Sequence, residues 1–165
     1  MGTKQYDSAT DLITFSRASS ATFLGSNGLL QTAANDVPRI EYDATGAVKG
    51  LLIEEARTNL YLKSNQFVSP WNLIGSTTTA SAGTSPTGLA DAWRWVGNGT
   101  SVLYQNTAYV AGNYTVSAWV KSNGAGEDTF RLYGLNSVGS GDFTATSEWV
   151  RYSHTFTSAI VGSQF

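Results

Sequence analysis

Residues 114–121 read YTVSAWVK, and apolar and polar side chains alternate along this stretch. Successive side chains of a β-strand point to opposite faces of the sheet, so the alternation predicts a strand that is buried on one face only. The apolar set forms the expected core face: Tyr114, Val116, Ala118 and Val120. The other face carries small or polar side chains and one tryptophan, Trp119. The stretch therefore predicts a half-buried strand with an indole on its outer face.

Similar short runs follow and precede this strand, and glycine-rich turns such as GNG, AGN, NGAG and GSG separate them. The runs are AWRWV, SVLYQNTAYV, TFRLYGL, FTATSEWV and YSHTFTSAIV. Strands at intervals of about 8 to 15 residues, without helical periodicity, are typical of antiparallel β-sandwiches and jelly rolls. We therefore expect an all-β fold, with a β-sandwich of the jelly-roll type over residues 63–165.

The first 62 residues show a different pattern, of two short hairpins. Asn27-Gly28 can adopt positive φ and predicts a tight turn, after which Leu29 and Leu30 open a second strand. The piece RIEYD, the loop DATGAVKG and the piece LLIEEA predict a second hairpin. Two small hairpins bury little apolar surface by themselves. We therefore expect residues 1–62 to form an arm that docks or assembles on another surface.

Composition excludes several functional classes. Of 165 residues only 13% are charged, and the formal net charge is −2, so no basic patch is available for nucleic acid. There is no cysteine and a single histidine, His154, which excludes thiolate and multi-histidine metal sites. No window reaches the roughly 20 apolar residues of a membrane span, and no signal peptide is recognisable. We expect no cofactor, no metal, no nucleic-acid partner and no membrane insertion.

Residues 50–60, GLLIEEARTNL, contain the residue types of a catalytic carboxylate pair. If 51–56 is extended, however, neighbouring side chains point to opposite faces, so Glu54 and Glu55 cannot face one substrate. The same alternation places Glu55 and Arg57 on one face, where they are suited to a charge pair. We favour a structural pair that fixes the chain, with a contact between subunits as the alternative, over a catalytic site.

Three predicted strands each carry an aromatic or guanidinium side chain on the side away from the core. The candidates are Trp119, Arg131, Tyr133, Trp149 and Arg151. Flat aromatic rings stack on the apolar faces of pyranose rings while polar neighbours bond the hydroxyls, so this side is a candidate carbohydrate-binding surface. The alternative is that these side chains cover a contact with another domain or subunit, or fill the sandwich if the two faces are reversed.

Three other aromatic side chains are more consistent with packing. Trp93 and Trp95 share one face of their predicted strand and are favoured as core residues. His154 falls on the inner face by alternation, and we expect a bonded interior or edge histidine rather than a ligand or base.

Three stretches in the first 62 residues resemble a module that recurs in tail-fibre, tailspike and head-spike proteins of tailed bacteriophages. They are FSRASSATF (15–23), NGLLQTAANDVPRIEYD (27–43) and GLLIEEARTNLYL (50–62). Three later stretches resemble the carbohydrate-binding-module-like jelly rolls often joined to it: TNLYLKSNQFVSPWN (58–72), GNYTVSAWVKSNG (112–124) and SEWVRYSHTFT (147–157). Such sandwiches close with a strand bearing Gly-x-Gln-x-Glu, whereas this sequence stops at 162–165, GSQF, so we expect its last strand to be cut or completed from elsewhere.

The resemblance implies a structural protein on the outside of a phage particle, made in the host cytoplasm and usually homotrimeric. Residues 1–62 would attach to other virion proteins, and the charged residues Arg17, Arg39, Glu55 and Arg57 are the candidate interface residues. For Arg17 and Arg39 the interface role would be a bridge to an acid on a neighbouring chain, and the alternative is that they are simply solvated. We expect a protein that binds and is not an enzyme. The alternatives are a carbohydrate-binding module for host surface polysaccharide, or the non-catalytic part of a polysaccharide depolymerase.

Overall fold

The computed structural model describes residues 14–43, 45–124, 128–134 and 138–159. Within these ranges the chain forms twelve β-strands and no helix, and all strand pairs are antiparallel. The expectation of an all-β fold is confirmed. The chain divides into two compact units, one ending at Arg57 and the other beginning at Thr58.

The first unit forms two hairpins within residues 14–43 and 45–57. Strand β1 (Ala21–Leu24) pairs with β2 (Leu30–Ala33), and Gly28 lies in the intervening turn with a φ of 73°. This is the turn that the Asn-Gly pair predicted, because glycine adopts positive φ without a steric cost. Strand β3 (Ile40–Tyr42) pairs with β4 (Val48–Leu51).

The second hairpin differs from the prediction in its returning strand. The expected strand over 51–56 is wrong beyond Leu51, where β4 ends. The cause is the turn: the Asp43 carboxylate accepts hydrogen bonds from the backbone N–H groups of Thr45 and Ala47, at 2.8 and 2.9 Å. This closes the loop early, so Val48 already pairs with Tyr42. Glu54, Glu55 and their neighbours therefore follow the hairpin instead of forming its second strand.

The described residues of the second unit form four separate ladders. Its strands are β5 (Asn72–Ile74), β6 (Thr77–Thr79), β7 (Arg94–Val96), β8 (Val102–Tyr104), β9 (Gly112–Val120), β10 (Thr129–Phe130), β11 (Phe143–Thr144) and β12 (Val150–Ser158). In the described part of the chain β5 pairs with β8, β6 with β7, β9 with β12, and β10 with β11. Each ladder has two strands, and the jelly-roll arrangement stays a prediction.

The longest ladder, β9–β12, carries the core of the second unit on its inner face. Phe156 is buried and stacks on Tyr114 with ring centroids 5.9 Å apart, and Tyr109 packs edge-on against Tyr114. Further along the same face, Tyr152 packs edge-on against Phe130 of β10, with ring centroids 5.0 Å apart. The alternation predicted for residues 114–121 is confirmed, because the even-numbered side chains of β9 are partly buried.

The start of the second unit is fixed by a buried amide. Gln105 is almost completely buried, and its side chain bonds both backbone groups of Leu62, accepting from the N–H at 2.8 Å and donating to the carbonyl at 2.9 Å. The hydroxyl of Thr107 donates to the carbonyl of Leu60. A side-chain amide that satisfies one donor and one acceptor acts as a single rung of a sheet ladder.

Candidate functional site

The candidate site is the outer face of the β9–β12 ladder, called the outer face below. It consists of four cross-strand pairs: Asn113 with Thr157, Thr115 with Thr155, Ser117 with Ser153, and Trp119 with Arg151. Opposed residues in an antiparallel pair point to the same side, with Cβ atoms about 5 Å apart. All eight side chains are exposed except that of Ser117, which is half-buried. The register thus gathers eight hydrogen-bonding or stacking groups on one open strip.

The Trp119–Arg151 pair closes one end of this strip. Trp119 is 37% exposed, so part of its surface is available to solvent. Arg151 lies directly across from it and donates from Nη2 to Ser117 Oγ at 3.1 Å. Across the described residues, no carboxylate forms an ion pair with Arg151. The guanidinium is therefore oriented by a hydroxyl and keeps its charge uncompensated.

The rest of the strip is a ladder of small polar side chains. The hydroxyls of Thr115 and Thr155 share a hydrogen bond of 2.8 Å, and Thr157 donates to the Asn113 Oδ1 at 2.7 Å. These bonds hold the side chains flat while leaving acceptor lone pairs exposed. Sequence reasoning placed only Trp119 and Arg151 at this site. The other six residues of the outer face stand at polar, odd-numbered positions of the two strands, and this pattern could have indicated them. Which of them lie opposite each other depends on the strand register, which the sequence does not show.

The other three carbohydrate candidates are engaged elsewhere. Trp149, just before β12, is half-buried and its indole N–H donates to the carbonyl of Thr84 at 2.9 Å. Arg131 makes two bonds to the carboxylate of Asp142, at 2.5 and 3.1 Å, and these bonds lower the pKa of Asp142. The same bonds to Asp142 raise the pKa of the Arg131 guanidinium, and the neighbouring Tyr133 adds to this shift.

The position of the β10–β11 hairpin explains this separation. Phe130 and Phe143 of the hairpin both contact Tyr152, which belongs to the inner face of β12. Arg131 and Tyr133 therefore lie on the inner side of the ladder, away from Trp119. Of the five predicted carbohydrate residues, the structure brings only Trp119 and Arg151 together on the outer face.

The predicted interface residues of the first unit hold backbone and carboxylate groups of their own chain. Arg17 donates to the carbonyl of Ser19 at 2.6 Å and also to those of Ala33 and Ala34. The guanidinium carbon of Arg17 also lies over the ring of Phe15, 5.7 Å from the ring centroid. One arginine thus ties the segment before β1 to the end of β2.

Among the described residues of the first unit, Arg39 is the buried cation, with a side chain only 8% exposed. Its Nη1 donates to the Thr22 carbonyl at 2.9 Å and to Glu54 Oε2 at 2.7 Å. The expected pair of Glu55 and Arg57 is present at 2.5 Å, but both side chains are about 80% exposed, at 80% and 76%. Burial distinguishes the two ion pairs: in the first the arginine is buried while Glu54 is 56% exposed, and in the second both side chains lie in solvent.

Two of the packing expectations are corrected by the structure. Trp95, favoured as core, is 39% exposed on β7, whereas Trp93 is half-buried and packs edge-on against Phe67. His154 lies on the inner face as expected and stacks on Phe156 at 5.9 Å. Its Nε2 is buried, however, and finds no hydrogen-bond partner in the part of the chain that the structure describes.

The described ranges contain no cluster of histidine, aspartate or glutamate arranged to hold a metal ion. They also contain no helix of the length and apolarity that a membrane span requires. No protein-family model matches the chain, and neither a curated protein nor a solved structure is significantly similar to it.

Proposed function

We propose that this chain is a structural component of a bacteriophage particle, in a tail fibre, tailspike or head spike. Its first unit attaches to other virion proteins, and its second unit belongs to a region that adsorbs to the host. It acts by binding and not by catalysis. The proposal places the protein on the outside of the virion after synthesis in the host cytoplasm.

The observation that carries this proposal is the bonding of Arg39. Thr22 lies in the stretch FSRASSATF, Arg39 in NGLLQTAANDVPRIEYD and Glu54 in GLLIEEARTNLYL. One buried guanidinium therefore joins all three stretches that resemble the phage module. Residues that hold each other in a fold are expected to recur together and in order, which supports a structural role for the motif instead of a catalytic one.

The surface of the first unit supports an assembly role. Ile53 is 81% exposed and Val48 is 66% exposed, and Val37 is also open to solvent. Ala33 is the single buried hydrophobic residue among those described in this unit. A small unit with exposed apolar side chains gains stability from contacts with other chains. We propose that the assembled form is a homo-oligomer, and a trimer as in the proteins that it resembles.

We also propose that the second unit is a jelly roll of the carbohydrate-binding-module type. The support is the nine-residue β9–β12 ladder, with aromatic packing on its inner face and polar pairs on its outer face. Such a two-faced ladder is what a sandwich requires on each of its sheets.

Immunogold electron microscopy tests the virion proposal. Antibodies raised against the 165-residue chain are applied to purified particles from a lysate of cells that carry its gene, with antibody absorbed on the pure protein as the control. We expect gold on fibres or spikes. Abundant protein in the lysate with particles free of gold would overturn the proposal.

A second candidate function is glycan binding by the outer face, either in a carbohydrate-binding module or in the non-catalytic part of a depolymerase. The Trp119–Arg151 pair on an open polar strip favours it. Assays of reducing ends after incubating capsule with the full-length gene product separate the two versions, because reducing ends appear only if the chain belongs to a depolymerase that also carries a catalytic part.

A further inference from the structure

The charges of the described residues are distributed unevenly. Arg39, Lys49, Arg57 and Arg131 each form an ion pair with a carboxylate of the same chain. Arg151 forms no ion pair within the described ranges, as is also true of Arg17, Lys63, Arg94 and Lys121, but it is the single charged side chain among the four pairs of the outer face. A guanidinium on a surface strip with no acid beside it attracts an anionic group from outside the chain.

The geometry around Arg151 specifies what kind of anion fits. The guanidinium presents a planar fork that binds a carboxylate through two parallel hydrogen bonds. Its bond to Ser117 Oγ uses one donor and fixes its orientation, leaving further N–H groups exposed. Trp119, directly opposite, offers a flat ring to the C–H face of a sugar. The serine and threonine hydroxyls along the strip can exchange hydrogen bonds with sugar hydroxyls.

The dimensions of the strip favour a linear ligand over a protein. Four alternate pairs along two strands cover about 20 Å by 10 Å, or on the order of 200 Å². A stable protein interface needs about 800 Å² on each partner and an apolar centre. The outer face has one large apolar side chain, at its end. A narrow hydroxyl-lined strip with a terminal ring and cation fits an extended saccharide chain.

From these observations we infer that the outer face binds a saccharide that carries a carboxylate, such as a uronic or sialic acid unit. Trp119 stacks on the sugar ring, Arg151 binds the carboxylate, and Ser117 positions the guanidinium. This inference rests on the glycan-binding function proposed above and names its ligand class. The alternative ligand is a second copy of the chain, bound to the outer face through the carboxylate of an aspartate or glutamate, and the test must exclude it.

The test is a glycan array probed with the full 165-residue chain. The array carries oligosaccharides containing uronic and sialic acids beside the same compounds with their carboxyl groups reduced to alcohols. We expect binding to acidic members that falls at least about tenfold on reduction, the size of a charge-assisted hydrogen bond. Binding should also weaken as salt is raised, because the pair is exposed.

Variants of the outer face are measured on the same array. Trp119→Thr and Arg151→Gln should each reduce affinity about tenfold, while Arg151→Lys retains part of it because the charge remains. Matched controls come from β7: Trp95 is 39% exposed and Arg94 has no ion pair within the described ranges. Trp95→Thr and Arg94→Gln should bind as the unchanged chain does. Circular dichroism confirms that each variant is folded.

The outcomes separate this inference from the function on which it rests. Equal binding to acidic and reduced glycans overturns the carboxylate specificity but leaves glycan binding in place. No binding of the unchanged chain to any glycan overturns both, and immunogold labelling then decides the virion proposal independently. A change in oligomer size in Trp119→Thr and Arg151→Gln, with no effect on glycans, assigns the outer face to a second copy and also overturns the inference.

Discussion

The two compact units are stabilised by different kinds of interaction. In the first, the buried guanidinium of Arg39 joins the carbonyl of Thr22 to the carboxylate of Glu54. In the second, aromatic rings follow one another along the inner face of β9–β12, with Phe156 stacked on Tyr114. The difference follows from strand length, because strands of three or four residues bury too little apolar surface to hold together, whereas two strands of nine residues carry a continuous apolar face.

This contrast implies different sensitivities to mutation. A set of hydrogen bonds centred on one buried side chain loses most of its contribution to stability when that side chain is removed, because its partners are left without a bond. An aromatic face loses in proportion to the volume removed. The changes below test this difference, from the largest expected effect to the smallest.

Phe156→Ala should have the largest effect. The side chain is buried, contacts Tyr114 and His154, and lies so close to Gly134 that no side chain fits there. Its removal leaves a cavity and should lower the free energy of unfolding by about 3–5 kcal/mol. Urea denaturation followed by tryptophan fluorescence measures this. Thr157→Ala, on the exposed side of the same strand, is the control and should change stability by at most about 0.5 kcal/mol.

Arg39→Gln should have an intermediate effect, confined to the first unit. The shorter side chain cannot reach both Thr22 and Glu54, so the carbonyl of Thr22 loses a partly buried hydrogen bond. We expect a loss of about 2 kcal/mol, limited because the Glu54 side chain is 56% exposed and the ion pair is screened by water. Amide hydrogen exchange measured by NMR should accelerate in β1 to β4 and stay unchanged in β9. Uniform acceleration in both units would contradict the separation of the two units.

Acid should loosen the turn between β3 and β4. Hydrogen bonds from the Thr45 hydroxyl, and then from the backbone N–H groups of Ala47 and Thr45, lower the pKa of Asp43 below its ordinary 3.8. Because the folded-state pKa is depressed, the stabilisation is complete above pH 3.8 and is lost as pH falls through the lowered value. An NMR titration of the Thr45 and Ala47 amides checks this. Asp43→Asn keeps the accepting oxygen and should remove the acid transition.

Sequence patterns correctly predicted the elements that depend only on residues close together in the chain. The alternation in residues 114–121 is a property of one strand, and the Asn27-Gly28 turn depends on the conformational freedom of one residue; both were predicted correctly. The strand over 51–56 was predicted wrongly because the turn closed by Asp43 decides where pairing begins. Apolar character alone did not show that β4 ends at Leu51.

The candidate site shows the same limit. Alternation assigned Trp119 and Arg151 to outward-facing positions, but only the register of β9 with β12 makes them neighbours. Trp149 carried the same outward signal, yet its indole bonds Thr84, which is 65 positions earlier in the sequence. Contacts over such distances depend on how loops return to the ladder, and a single sequence carries no pattern for them.

Arg57→Gln should have the smallest effect on stability and sharpens the comparison with Arg39. Both arginines pair with a glutamate, but Arg57 and Glu55 are about 80% exposed, at 76% and 80%, and only two residues apart. Such a pair contributes at most about 0.5 kcal/mol and organises no other segment, so urea denaturation should be nearly unchanged. Sedimentation velocity of the same variant shows whether the pair acts between copies. Reduced oligomer content at unchanged stability assigns Glu55 and Arg57 to a subunit contact, whereas a stability loss as large as that of Arg39→Gln would contradict the dependence on burial.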